Sequence, residues 1–244
     1  MFSKEELQRY SRQTGITGWG ESAQEKLKKS KIFIAGAGGL GSPVLYYLAA
    51  AGAGKLTICD SDSVELSNLN RQIIHNNGRL GRPKAESAAE SLSALNPEID
   101  ISALQVKISD DNAETLITGH DLVIDCLDNF KTRQVINRAC VNLQKPLIHG
   151  GVAGFQGQIA VIIPPKTACL SCFLPLTDTE KTVYIAGPSA GVIGSIQCVE
   201  AIKYLTGTGT NIIHKIVFWD GLSMKMETVT VKKNPGCTVC AGKS

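Results

Sequence analysis

The residues able to do chemistry here are paired thiols, a glycine turn, and cations and carboxylates set in the loops that follow apolar runs. Four of the eight cysteines form two Cys-x-x-Cys pairs, Cys169/Cys172 and Cys237/Cys240. A two-residue gap lets both thiolates of a pair reach one ion, and two pairs complete a tetrahedral zinc shell. Four protein thiolates leave no open coordination position, so such an ion staples and does not catalyse. It would tie the C-terminal region to a loop about 65 residues earlier. The competing reading is redox chemistry, but a redox pair opens a helix after a strand. Here one pair follows Pro164-Pro165 and the other follows Asn234-Pro235-Gly236. The remaining thiols, Cys59, Cys126, Cys140 and Cys198, lie in apolar runs and read as buried and inert.

Gly36-x-Gly38-x-x-Gly41 sits between an apolar run, Lys31 to Ala35, and a helix-forming stretch, Ser42 to Ala51. That is the context a dinucleotide fingerprint requires. The glycines permit a tight turn, and the helix N-terminus offers free N–H groups to a phosphate. Asp60, closing a second strand over 55–59, is placed for ribose hydroxyls. Alone, this supports NAD as readily as ATP, and a glycine-rich packing turn is the reading without a ligand. The next loop, Ser67-Asn68-Leu69-Asn70-Arg71-Gln72, adds amides and an arginine, and Lys84 follows. A nicotinamide cofactor carries one pyrophosphate, already served by the turn. Extra cations suit a triphosphate whose charge must be neutralised while it reacts. Asp128, beyond a fourth strand, points to the same crevice, because ligands bind outside the carboxyl ends of strands in open sheets. A carboxylate beside phosphates reads as a magnesium ligand. Taken singly, Arg71 and Lys84 could be solvated charges and Asp128 a helix N-cap.

The elements that must position these groups alternate. Helical spacing appears over 3–13 and 21–30, and a polar loop runs from 61 to 81. Pro83 fits the first turn of a helix to Leu95. Strands read at 99–105, 121–126 and 146–149, with a helix over 131–142 between the last two. This predicts an α/β fold: a doubly wound, mostly parallel, Rossmann-like sheet. Beyond Gly150, a strand over 156–163, a helix over 188–206 and a hairpin over 212–219 and 224–232 predict an extension by antiparallel strands, with a zinc site of four cysteines. No linker separates the parts. The expectation is one continuous domain over 1–244, with a nucleotide-binding half at 31–150 and a second, zinc-bearing half at 151–244. Apolar residues at 43% and charged residues at 19% exclude a disordered chain. A net charge of +3 without a basic run gives no footprint for nucleic acid. Apolar stretches are strand-sized, so no membrane span is expected, and the acidic start Met-Phe-Ser-Lys-Glu-Glu is no signal peptide. A cytoplasmic protein is expected.

These residues resemble the ubiquitin-activating-enzyme-like adenylyltransferases of bacterial and archaeal type (MoeB, ThiF and HesA). The likeness runs through Tyr10-Ser11-Arg12-Gln13, Gly36 to Gly41, Asp60-Ser61-Asp62, Ser67 to Gln72, Gly81 to Ala85, Asp125 to Phe130, Gly150 to Gln158 and both cysteine pairs. It implies that Gly39, Asp60, Asn68, Arg71, Lys84 and Asp128 hold ATP and magnesium, with Gly36, Gly38, Gly41, Asp62, Ser67, Asn70, Gln72 and Asn129 completing the nucleotide site. Arg12 would reach the neighbouring subunit's phosphates, implying a homodimer, and catalysis would rest on Arg12, Arg71, Lys84 and Asp128.

The substrate implied is the C-terminal Gly-Gly carboxylate of a ubiquitin-like sulfur-carrier protein of the molybdopterin or thiamine type. A carboxylate is already ionised at neutral pH, so its attack on the α-phosphorus needs no general base. The site must instead bring two anions together, which converging cations accomplish. Gly150 to Gly157 could line a tunnel for the diglycine tail, or form a bulged strand turn. Several relatives carry a cysteine three residues before an Ala-Gly in the crossover loop. Here Val183 precedes Ala186-Gly187 at that place and 177–185 holds no cysteine. Adenylation without an enzyme-bound thioester is therefore expected, with a separate sulfur donor and a lean toward the MoeB-like role. No rhodanese-like segment is expected after Ser244, in line with that donor. The alternatives are an NAD-dependent oxidoreductase, and a catalytically inactive zinc-stapled module that holds a ubiquitin-like partner.

Overall fold

A computed structural model describes residues 2–174 and 183–242. Its eight strands are β1 (Lys31–Ala35), β2 (Lys55–Cys59), β3 (Asp100–Leu104), β4 (Leu122–Asp125), β5 (Leu147–Ala153), β6 (Gln156–Ile162), β7 (Lys215–Asp220) and β8 (Lys225–Thr230). They form one sheet in the order β3-β2-β1-β4-β5-β6-β7-β8. The pairings from β3 to β5 are parallel, and β6, β7 and β8 extend the sheet antiparallel. Around it lie α1 (Lys4–Arg9), α2 (Ser11–Thr14), α3 (Gly20–Lys29), α4 (Gly41–Ala51), α5 (Lys84–Leu95), α6 (Ala113–Ile117), α7 (Phe130–Asn142) and α8 (Gly187–Thr206).

Alternation along the strands builds two cores. Ile32 and Ile34 of β1 face one side, with Val44, Leu45 and Leu48 of α4 and Ile193 of α8. Phe33 and Ala35 face the other, with Val135, Ile136 and Ala139 of α7 and the paired cysteines. Burial on both faces explains why β1 reads as a continuous apolar run rather than an alternating one. The chain leaves β1 toward β2 and β3, then returns to β4 and β5 on the other side. The loops after β1 and β4 therefore part at a switch point, and the crevice opens between them.

Four local expectations are corrected. The first helical stretch is not continuous over 3–13, because Tyr10 (φ −95°, ψ 5°) separates α1 from α2. Its buried hydroxyl accepts from Asn96 Nδ2 at 2.9 Å, so a tertiary anchor breaks the helix there. Pro83 is the N-cap of α5, with ψ 132°, and lies outside the first turn. The short helix α6 stands where none is expected. Gly150 to Gly157 is not bulged: β5 and β6 pair without interruption from Leu147↔Ile162 to Ala153↔Gln156. Two of its glycines have a packing duty, since a Cβ on Gly150 would come within 2.4 Å of Gln197 and one on Gly157 within 2.2 Å of Ile193, both on α8. The crossover-loop residues 177–182 lie outside the described residues.

Candidate functional site

The glycine turn is dictated by its neighbours. Gly36 has φ +99°, and a Cβ there would stand 2.8 Å from the Cys126 carbonyl oxygen at the end of β4. A Cβ on Gly41 would stand 2.2 Å from the Gly36 oxygen. These two positions close the turn and bring the loop after β4 against it. A Cβ on Gly38 meets only Gln72 Nε2, at 3.5 Å, and one on Gly39 meets Ala190 at 3.3 Å. Gly38 therefore answers to no packing demand within the chain, which is what close approach by a ligand predicts. Helix α4 starts without a side-chain cap; Ser42 N–H is taken by Gly38 O at 2.9 Å, while the N–H groups of Gly38, Gly39, Leu40 and Gly41 have no partner among the described residues.

Asp60 lies beneath this turn, and its carboxylate accepts the N–H of Ala37 at 2.7 Å and of Asp62 at 2.9 Å. Burial raises its pKa while those two N–H groups oppose the rise. Each oxygen keeps a further lone pair, so Asp60 braces the turn and still has capacity for hydroxyl donors. Lys84 is only 6% exposed and its Nζ contacts Asp62 Oδ2 at 3.0 Å. A buried ammonium with a single exposed carboxylate partner is a cation held ready for a further anion. Arg71 lies with its Cγ 3.6 Å from the site of a Gly39 Cβ, and its Nη1 donates to Ser67 O and Asn70 Oδ1 at 3.1 and 3.0 Å. Asn68 is buried and its Oδ1 accepts the Glu65 N–H, shaping the loop. Gln72 is buried with an unpartnered Oε1.

Asp128 is exposed and makes no hydrogen bond or ion pair among the described residues. The N-cap of α7 is its neighbour Asn129, whose Oδ1 accepts the Thr132 N–H at 2.9 Å. The capping alternative for Asp128 is thereby removed. Contacts join the glycine turn to the loops around it: Gly38 faces Gln72, Gly39 faces Arg71, Asp60 holds the Ala37 and Asp62 N–H groups, Lys84 meets Asp62, and Gly36 faces Cys126, two residues before Asp128. Arg12 does not join them. It is exposed on α2, and neighbouring Gln13 donates to Ala51 O at the far end of α4, about 15 Å along that helix from the glycine turn.

A buried network under the loop after β4 escapes sequence reasoning. The Asp125 carboxylate accepts the Leu127 N–H at 3.0 Å, while Arg133 Nη2 donates to Leu127 O and, at 3.1 Å, to Gly150 O. The backbone of the residue preceding Asp128 is thus held at both its N–H and its carbonyl. Asp125 Oδ2 also accepts from His149 Nδ1 at 2.7 Å, and His149 Nε2 accepts from Gln158 Nε2 at 3.0 Å. Burial keeps the His149 pKa below its ordinary value, against the pull of Asp125. The one signal in the chain is a histidine inside an apolar strand. Its partner stands 24 residues away, beyond the reach of local spacing.

The four paired cysteines converge. Their sulfurs lie within 4.8 Å of one another, with Cys169–Cys172 at 4.0 Å, Cys169–Cys237 at 3.7 Å and Cys172–Cys240 at 3.4 Å. An ion at about 2.3 Å from each sulfur of a tetrahedron sets the sulfurs about 3.8 Å apart, so the donor set fits one tetrahedral metal. Two separate redox pairs would not meet in this way. The remaining thiols are buried, and desolvation pushes Cys59 and Cys198 up to about 12. None has the electropositive, accessible setting of a nucleophile.

The ThiF family matches residues 10–239. The chain belongs to the ThiF family. This ThiF-family chain is 40% identical to the molybdopterin-synthase adenylyltransferase of Salmonella typhimurium, with 98% of each chain covered. It is 38% identical to the sulfur carrier protein ThiS adenylyltransferase of Escherichia coli, over 98% of this chain and 97% of that one. Among solved structures it resembles Escherichia coli MccB in complex with MccA-N7isoASN, with TM-score 0.88 at 24% identity over 99% of this chain and 76% of that one. That likeness concerns the fold, a mixed sheet with an antiparallel extension. No described helix is long and apolar enough to cross a membrane.

Proposed function

We propose that this ThiF-family chain adenylates the C-terminal Gly-Gly carboxylate of a ubiquitin-like sulfur-carrier protein with ATP, giving an acyl-adenylate and pyrophosphate. The observation that carries the reading is a pair of charges on either side of the glycine turn: buried Lys84 on the β2 side and Asp128, unpartnered among the described residues, on the β4 side. The turn and the α4 N-terminus bind phosphates, Asp60 takes ribose hydroxyls, and Lys84 and Arg71 neutralise the triphosphate. Asp128 would hold magnesium, which when bound would supply charge neutralisation at the phosphate oxygens. The carrier's carboxylate attacks the α-phosphorus with no proton to remove, and pyrophosphate leaves.

Relatives named for molybdopterin synthase and for ThiS support a sulfur carrier as the substrate class, the MoeB-like role being our choice between them. The chain acts as one adenylating domain over 1–244, its 31–150 half holding the nucleotide and its 151–244 half the carrier and the metal. The four cysteines hold structural zinc. Arg12 serves the site of a second subunit in a homodimer, which its distance from the glycine turn of its own chain favours. With no cysteine over 177–185, the adenylate passes to a separate sulfur donor, in a cytoplasm that supplies ATP and keeps thiols reduced. The test is ATP–pyrophosphate exchange with purified carriers of each type. Exchange that appears only when a Gly-Gly carrier is present is expected. Binding of NAD without binding of ATP would overturn the reading.

A further inference from the structure

The mechanism leaves His75 without a task, although it is 6% exposed and fully bonded. Its Nε2 lies 2.9 Å from Ala37 O and its Nδ1 2.8 Å from Ser87 Oγ. A carbonyl oxygen only accepts, so Nε2 carries the proton and Nδ1 accepts the Ser87 hydroxyl hydrogen. Burial, together with the charges of Lys84 and Arg79, keeps the His75 pKa below its ordinary value. The neutral ring then offers one donor and one acceptor, which is what these two partners require.

The two partners belong to different elements, the glycine turn and α5, which a single buried ring joins. Ala37 is inside the glycine turn, and its N–H is already fixed by Asp60 at 2.7 Å. With its carbonyl held by His75, both of its peptide groups are clamped. Ser87 sits in the first turn of α5, three residues after Lys84 and on the same face. We propose that His75 is a positioning residue of the nucleotide site, coupling α5 to the glycine turn so that Lys84 and the phosphate-facing backbone keep a fixed separation. The proposal rests on the nucleotide reading given above.

ATP titrated calorimetrically into the full chain tests it, beside thermal unfolding without ATP. His75→Phe fills the space but leaves Ala37 O and Ser87 Oγ unpartnered. It is expected to weaken ATP binding about tenfold, the size of one buried hydrogen bond. His75→Gln, whose amide also donates and accepts, is expected to restore binding to within about threefold of wild type. Ser87→Ala is expected to weaken binding by itself, yet to add nothing in the His75→Phe background. A His75→Phe chain that unfolds at a lower temperature but binds ATP like wild type would overturn the proposal, leaving a packing role only. If His75→Phe does not fold, unchanged ATP affinity in Ser87→Ala overturns it equally. Wild type that binds no ATP would sink the nucleotide reading as well, whereas tight binding by wild type and variants alike sinks only the role of His75.

Discussion

Asp128 and Asn129 are neighbours with opposite duties: Asn129 caps α7, and Asp128 is left with no partner among the described residues. A carboxylate freed from structural work contributes little to stability, so its removal separates function from folding. Asp128→Ala is expected to lower carrier-dependent pyrophosphate exchange by about 100-fold or more, the scale of losing one preorganised electrostatic group. Its unfolding temperature and metal content should match wild type, which calorimetry and elemental analysis would check. A variant that kept full exchange would contradict the assignment. Asp128, Lys84 and Arg71 are legible in the sequence because each falls in a loop or helix start that follows a strand. The clamp on Leu127 by Asp125 and Arg133 is not, because it depends on side chains meeting across elements.

At the scale of elements, the glycine turn distinguishes two kinds of glycine that the motif alone treats alike. Gly41 touches backbone and Gly38 has room for a methyl group. Gly41→Ala should therefore fold poorly or lower the unfolding temperature by several degrees, since a Cβ within 2.2 Å of the Gly36 oxygen forces the β1–α4 junction apart. Gly38→Ala should unfold with wild type and instead lose ATP affinity, which titration would measure. Equal stability losses in the two variants would contradict this division. The strands and helices around the turn follow from short apolar runs and glycine punctuation, which are local signals. The break at Tyr10 does not, because it is set by Asn96, 86 residues away. Nor do the packing duties of Gly150 and Gly157, which exist only because α8 returns over β5 and β6.

For the molecule as a whole, the sulfur cluster and the second subunit carry the remaining claims. Cysteine spacing is readable as a metal site because both pairs contribute two ligands at a fixed gap, and the fold brings them together. Cys172→Ser should release zinc and lower the unfolding temperature, consistent with the roughly 10–16 kcal/mol that zinc contributes to zinc-finger peptides. Any loss of exchange in that variant should be regained at a temperature where the chain stays folded. Arg12 is readable only as a position, since its proposed task lies in another subunit. Arg12→Ala and Asp128→Ala chains, each inactive alone, should on mixing and reassembly regain about a quarter of wild-type exchange, since half the dimers are mixed and each holds one intact site. No recovery would contradict sharing of the site. The central claim is that a carrier carboxylate attacks the α-phosphorus of ATP. It is tested most directly by a carrier whose terminal glycine carboxylate bears heavy-isotope oxygen, turned over with ATP and a thiol acceptor. Mass spectrometry of the released nucleotide should find one heavy oxygen in AMP, carried across from the carboxylate. Unlabelled AMP, or ADP in its place, would contradict the account.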